Sequence, residues 1–376
     1  MNTLAEMLKK KEVVVCAGSG GVGKTTTAAA IALKGALLGK KTVVLTIDPA
    51  KRLASALGLR ELSDEPRKVD ARKFSAAGLT PKGELHAMML DTKTTFDNVV
   101  VQYAPTREQA DRIIANRFYR NISSTLSGTQ EYMAMEKLYE LFSEGDYDLI
   151  VIDTPPTRNA LDFLDAPKRL TEFFESRVLR WFLFPYMKAG GGIMRIANVA
   201  ATTFLRVVKR IVGADVLEDT AEFFANLEGM YEGFKQRARD VASLLRSDVT
   251  SFVVVTSPAA ESVTEATYFA ARLNESDLPF GALVVNRVHP RLGNGIDVRP
   301  RQISKLESTD VAGQLMAKLL DNEEAFMRVV RRESQNLEAL ARKVPRHRWV
   351  WVPYLERETV DFGGLSAVAD HLFSES

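Results

Sequence analysis

Cysteine is nearly absent: Cys16 is the only one in 376 residues. No intrachain disulfide is available, which points to a reducing compartment. With four histidines and no CxxC pair, the chain lacks the makings of a cysteine-rich zinc site, and no zinc is expected. A dominant charge is missing as well. Fifty basic residues against 48 acidic ones leave a formal charge of +2, so nothing global favours nucleic acid or an anionic membrane as a partner. Long apolar runs are also missing, since no stretch approaches the roughly 18 residues a spanning helix needs. The most apolar candidate, residues 181–187, lies between Arg180 and Lys188 and contains Pro185. The first twenty residues have no basic region followed by an apolar one, so they do not read as a signal peptide. The expected location is cytoplasmic, with peripheral membrane association left open.

What is present is a soluble composition, 46% hydrophobic and 26% charged. The length fits a large α/β core with insertions, or two domains. EVVVCAG at 12–18 predicts a buried parallel strand from its consecutive β-branched residues, and 24–38 predicts an Ala/Leu-rich helix. TVVLTID (42–48), DLIVID (148–153), TSFVVVTSP (250–258), GALVVNRV (281–288) and RHRWVWVPY (346–354) predict further strands. Strand, glycine loop, helix, strand opens a mostly parallel central sheet flanked by helices: an α/β P-loop fold. The nucleotide core is expected from 1–58, 145–159 and 246–376. Residues 59–144 and 160–245 are expected to be mostly helical insertions, with an unassigned polar stretch at 60–84.

Between the first strand and helix, Gly18, Ser19, Gly20, Gly21, Val22, Gly23, Lys24 and Thr25 fit G-x-x-x-x-G-K-[ST]. Glycines let the backbone curl until successive N–H groups face phosphate oxygens, and the next helix turns its positive end to the same anion. Lys24 is expected to reach the β- and γ-phosphates and the Thr25 hydroxyl to ligate Mg²⁺. Asp153 ends LIVID, where a carboxylate holds the magnesium shell, directly or through water. Asp48 ends another strand and is the candidate for orienting the attacking water; a turn-starting aspartate before Pro49 is the competing reading. The expected cofactors are therefore ATP and Mg²⁺.

At this point the chain resembles the deviant-Walker ATPases, the family that includes the arsenite-pump ATPase and the ATPase that targets tail-anchored membrane proteins. VVVCAGSGGVGKTTTAAA, VVLTIDPAKRLASALG, YDLIVIDTPPTRNALDFLDAP, VVNRV and VPYLERE carry the likeness, in the family's order and across almost the whole chain. DTPPTRNALDFLDAP looks closer still to a bacterial subgroup of anion-transporting ATPases. The resemblance implies nucleotide contacts from Gly20, Gly21, Val22, Gly23, Lys24, Thr25 and Thr26. It implies catalytic roles for Asp48 and Lys24, and magnesium contacts from Thr25 and Asp153. Asn286 would read the adenine edge, an amide offering both a donor and an acceptor, and Pro353 in 352–358 would pack on the base. A dimer is implied too.

Three departures stand out. The family's P-loop usually reads GKGGVGKT, its first lysine crossing the dimer interface to the partner's nucleotide; here that position is Ser19, which brings no cation. Slow hydrolysis, a substitute cation such as Arg158, or a heterodimer whose other chain supplies the lysine are the three readings, and the heterodimer is preferred. Second, KRLAS (51–55) stands where relatives often have HNLSD, so Ser55 replaces an aspartate. Third, without CxxC no zinc clamp joins two copies, and cysteine-based arsenite binding loses its ligands.

Residues 170–208 are rich in Phe, Trp, Met and Leu, with glycines at 190–192. Two readings stand: ordinary interhelical core, or a groove for a hydrophobic or membrane-protein client. The leading function is an ATP-hydrolysing dimeric switch that moves this helical region. A weakly hydrolysing regulatory subunit and an oxyanion-pump ATPase subunit are the alternatives.

Overall fold

In a computed structural model, residues 3–48, 52–117, 119–120, 129–155, 219–220, 223, 230–290, 311–355 and 361–374 are described. Among these described residues, one sheet holds eight strands: β1 (Val13–Ala17), β2 (Lys41–Thr46), β3 (Arg67–Lys68), β4 (Glu84–Met89), β5 (Leu149–Asp153), β6 (Thr250–Thr256), β7 (Phe280–Val288) and β8 (Trp349–Pro353). Their order across the sheet is β3-β4-β2-β5-β1-β6-β7-β8. Every pairing is parallel except β3 with β4. This is the α/β, mostly parallel architecture that the strand–loop–helix–strand opening predicts.

Runs such as VVV and LIVI are continuous rather than alternating because both sheet faces are covered. On one face, Val14, Cys16, Val44, Val151, Val253, Val284 and Val350 pack with helices α1 (Thr3–Lys10), α2 (Lys24–Leu37) and α11 (Phe362–Phe373). On the other, Val13, Val15, Leu45, Ile152, Val254, Val285 and Trp349 pack with α5 (Thr92–Tyr103), α7 (Thr129–Glu144), α8 (Tyr231–Arg246), α9 (Ala260–Glu275) and the end of α10 (Val311–Ala341). Short helices α3 (Arg52–Ala56), α4 (Ala71–Ala76) and α6 (Arg107–Ala115) complete the described elements. Alternate residues of each strand thus feed opposite cores, and Cys16 is sealed in the α2-side core.

The sequence reading misses several elements. β3 and β4 arise in and beside the unassigned 60–84 stretch. β4 pairs with β2 in register Lys41↔Glu84, and β3 closes that edge through a Lys68–Glu84 ion pair. Polar side chains at and next to the sheet edge interrupt the continuous apolar run that marks the central strands. α1 also escapes notice: its Leu4, Met7 and Leu8 are buried, a spacing of three and four within only eight residues. At the last strand, 346–348 is a tight 3₁₀ turn and β8 starts at Trp349. Of the stretch 160–245, only residues 219–220, 223 and 230–245 are described; Arg158 and the aromatic segment at 170–208 lie outside the described residues.

Among the described residues, no helix is long and apolar enough to cross a membrane.

Candidate nucleotide site

β1 ends at Ala17, and the chain curls through 18–23 before α2 begins at Lys24. Two glycines are required here. Gly18 sits at φ 153°, and a Cβ on it would lie 2.0 Å from the Val255 carbonyl oxygen. Gly23, at φ 97°, would drive a Cβ to within 2.3 Å of Asn286 Nδ2. At these two positions the loop is folded so tightly against β6 and β7 that no side chain fits, and a glycine loop of this kind turns its N–H groups toward an anion.

Two side chains pin this loop by its carbonyls. Lys24 Nζ donates to the Ser19 carbonyl at 2.7 Å, and Asn286 Nδ2 donates to the Val22 carbonyl at 2.7 Å. Asn286 Oδ1 accepts from the Arg287 N–H at 2.9 Å, where Arg287 turns to φ 61°. That uses one of the amide's two hydrogens and one of its two lone pairs, leaving one of each for a ligand. The Ser19 hydroxyl is buried and has no hydrogen-bond partner.

The carboxyl ends of β2 and β5 adjoin this loop. Thr46 Oγ1 donates to Asp153 Oδ2 at 2.9 Å and accepts from the Asp48 N–H at 3.2 Å. One hydroxyl thereby joins the two candidate aspartates. The Thr154 hydroxyl donates to the Cys16 carbonyl at 2.9 Å, fixing the exit of β5 against β1. Asp153 is fully buried, and its Oδ1 has no hydrogen bond of ordinary geometry although the Thr25 hydroxyl lies near enough to favour the carboxylate. An orphaned, buried carboxylate oxygen beside a threonine hydroxyl is a donor set that fits a magnesium shell.

Charge behaviour follows from burial. Desolvation pushes the Asp153 carboxyl up to about 6, against the pull of Thr25, Thr46 and Lys24. Desolvation also lowers the Lys24 ammonium from its ordinary value, while Asp153 and Asp48 push it back up. The folded Asp153 value exceeds that of an unfolded aspartate, about 3.9. Folded protein therefore holds the proton more tightly between these values, and stability is lost as pH rises through the folded pKa. Ligand-free protein is expected to lose on the order of 3 kcal/mol between about pH 4 and pH 6 from this group. Thermal melts of wild type and Asp153→Asn across that range check it: the amide variant should lack this component.

The remaining residues distribute as follows. Gly20 and Gly21 lie in the loop, Gly20 exposed; Thr25 and Thr26 are half-buried in the first turn of α2. Asp48 is half-buried past the end of β2. Pro353 ends β8, with Val352 beside Asn286 in register. Residues 356–358 of the VPYLERE segment are outside the described residues. Ser55 lies in α3. Sequence reasoning overlooks Thr46 and Thr154. A threonine inside TVVLTID reads as strand filler, and only the register Thr46↔Asp153 reveals its second role.

Loop, lysine, threonine and a buried strand-end aspartate at the carboxyl edge of a parallel sheet define a P-loop nucleotide-binding protein. A family model for anion-transporting ATPases matches residues 11–340, and the chain belongs to that family of ATP-binding and ATP-hydrolysing P-loop proteins. It is 27% identical over 294 residues to ATPase GET3 of Malassezia globosa, covering 76% of each chain. It is 23% identical over 359 residues to ATPase GET3C of Arabidopsis thaliana, covering 90% of this chain and 81% of that one. A protein of Aquifex aeolicus named "Putative arsenical pump-driving ATPase 1" is 25% identical over 322 residues, with 79% and 70% covered. Among the described residues there is no cluster of three His, Cys, Asp or Glu side chains suited to a metal ion.

Proposed function

We propose that this chain is a Mg-ATP-driven switch, one half of a dimer, in which hydrolysis at the P-loop rearranges a helical region serving a hydrophobic or membrane-associated client. The observation that carries the reading is Thr46, whose hydroxyl links Asp153 to the backbone of Asp48. A metal-shell group and a water-orienting group are thereby held as one unit, so a change at the γ-phosphate reaches both strand ends together.

In this reading Asp48 accepts the hydrogen bond of the attacking water and aligns it with the γ-phosphate. Lys24 leaves the Ser19 carbonyl and meets the β- and γ-phosphate oxygens, drawing off negative charge as the bond to the leaving group breaks. Magnesium, held by Thr25 and by Asp153 directly or through water, would neutralise charge between the same phosphates. The spare hydrogen and lone pair of Asn286 face the adenine edge, and Pro353 offers an apolar surface to the ring. The segments after Asp48 and Asp153 carry the change outward, to residues 160–245. The core and insertion boundaries given above belong to this proposal, with β3, β4, α5 and α7 of 59–144 adding to the sheet and its cover, as does placement in the bacterial subgroup with serine at position 19.

Ser19 makes the dimer heteromeric in this reading. Its short, buried hydroxyl carries no charge across an interface, so a second, related chain brings the lysine. Steady-state phosphate release tests this: mixing with the candidate partner chain is expected to raise turnover at least about ten-fold above either chain alone. Full turnover of the isolated protein, unchanged on mixing, removes the heterodimer. No phosphate release in either setting favours a non-hydrolysing regulatory subunit, a reading motivated by the same Ser19. A third reading, an oxyanion-pump subunit, draws on the name of the Aquifex relative. With Cys16 sealed in the core it predicts stimulation by metalloid without cysteine, and no such stimulation would leave it unsupported.

A further inference from the structure

Beyond the P-loop, one side chain from a different layer reaches the catalytic edge. Gln130 stands in the first turn of α7 and donates from Nε2 to the Ile47 carbonyl at 2.8 Å. Ile47 immediately precedes Asp48, and its own N–H is bonded to the Asp153 carbonyl at 3.2 Å. Both polar groups of this peptide residue are therefore held, one by β5 and one by α7. The acceptor is the carbonyl of the peptide bond leading into Asp48, so the contact restrains the plane of that peptide.

The helix bearing Gln130 is well anchored. Tyr132, Met133, Met135, Leu138 and Leu141 are buried in the sheet-face core. One turn and a half further on, Glu136 Oε2, almost fully buried, accepts from the partly buried Arg237 Nε of α8 at 2.8 Å. The Arg237 guanidinium also lies 4.1 Å from the centre of the Tyr139 ring. Breaking such a pair strands a buried charge, so α7 and α8 hold their relative height. A donor on a helix fixed at this depth is a more exact support than one on a loop.

We infer that Gln130 is a positioning residue for hydrolysis: its amide holds the Ile47 carbonyl and thereby aims Asp48 at the attacking water. The inference rests on the role proposed above for Asp48. It also makes α7 the link between the phosphate site and α8, the helix by which the chain returns to the sheet from 160–245. A displacement of Ile47 on nucleotide turnover would be felt at Gln130 and passed along α7 to Arg237.

The test compares Gln130→Ala and Gln130→Glu with wild type in the full chain, under whichever condition, alone or mixed with the partner, gives the higher phosphate release. Both variants are expected to lower kcat about ten-fold or more, since misplacement on the ångström scale is enough to do so. KM for ATP and the affinity for nucleotide should stay within about two-fold, because the P-loop is untouched. Gln130→Glu turns the donor into a carboxylate facing a carbonyl; relative to wild type its kcat should recover as pH falls and the carboxyl regains an O–H donor. A purely structural loss would show no such recovery. Independently of turnover, amide exchange in a peptide spanning 44–48 should quicken in Gln130→Ala. Unchanged exchange, or a kcat equal to wild type while Asp48→Asn is inactive, overturns the inference. If Asp48→Asn itself turns over normally, the failure lies with the reading of Asp48, and the exchange measurement still decides whether Gln130 holds that segment.

Discussion

Asp48→Asn is expected to lower kcat for ATP hydrolysis by roughly 10²–10⁴-fold while leaving nucleotide affinity near that of wild type, the range typical of a lost acid–base or water-orienting group. The substitution is nearly isosteric and keeps the Asp48 N–H that bonds Thr46 Oγ1. Asp153 therefore retains its Thr46 hydrogen bond, and the metal shell is not disturbed from this side. What is lost is the negative charge that draws the water's hydrogen toward the protein and its oxygen toward phosphorus. An amide accepts a hydrogen bond less strongly and presents a donor that competes for the same water. Affinity should hold because the loop's N–H groups, Lys24 and Asn286 are untouched. Nucleotide titration by calorimetry together with single-turnover phosphate release checks both halves. Turnover close to wild type would remove Asp48 from the mechanism, and an equal loss of binding would make it a structural residue of the P-loop side.

Lys24→Ala, by contrast, should damage binding and turnover together. In the ligand-free protein Lys24 is buried, bonded to the Ser19 carbonyl, and its ammonium is the first group to offset the buried Asp153 carboxylate by charge. Truncation leaves the Ser19 carbonyl without that donor and Asp153 without that opposing charge. The Asp153 carboxyl then moves still further above the ordinary aspartate range, which weakens its use as a magnesium ligand. With nucleotide, the β- and γ-phosphates lose their one P-loop cation. Losses of at least about ten-fold in affinity and on the order of 10²-fold in kcat are expected, as for removal of a preorganised charge-stabilising donor. Fluorescent-nucleotide binding and phosphate release measured side by side decide it. Normal affinity with reduced kcat would confine Lys24 to the transition state; no change in either would contradict the site as drawn.

These two results separate what Asp48 and Lys24 do. The Ser19 question is answered elsewhere, by mixing, because no substitution inside a lone chain reports on a cation that another chain contributes.

The central strands were legible because they are buried on both faces. Consecutive Val, Ile and Leu at 13–15, 149–152 and 253–255 leave little alternative to parallel strands inside an α/β sandwich. The P-loop was legible for another reason: a run of glycines between such a strand and an alanine-rich helix serves few other purposes. Edge elements were not. β3 and β4 carry Lys68, Glu84 and His86, whose polarity resembles a loop until the partner strand is known. α1 is only eight residues long, too short for its period to rise above chance.

Long-range partners were the least legible of all. Nothing about Thr46 marks it as the hydroxyl between Asp153 and Asp48, 107 positions separating it from the carboxylate it binds. Gln130 lies 83 positions from Ile47, in a helix whose sequence reads as core packing. The family likeness assigns Asn286 to a base; the fold adds that its amide clamps the Val22 carbonyl, across 264 positions.

The class of chemistry is written in the residues alone. Glycine spacing, a lysine, a threonine and strand-end aspartates are local facts, and the phosphate site needs those residue types whatever surrounds them. Which of those groups are charged, held or free to move depends on how the layers pack. Burial raises Asp153 and lowers Lys24, parallel register brings Thr46 opposite Asp153, and packing of α7 across the sheet brings an amide to Ile47. Each depends on solvent exclusion and on distances between segments far apart in the chain, and neither quantity exists until the layers close.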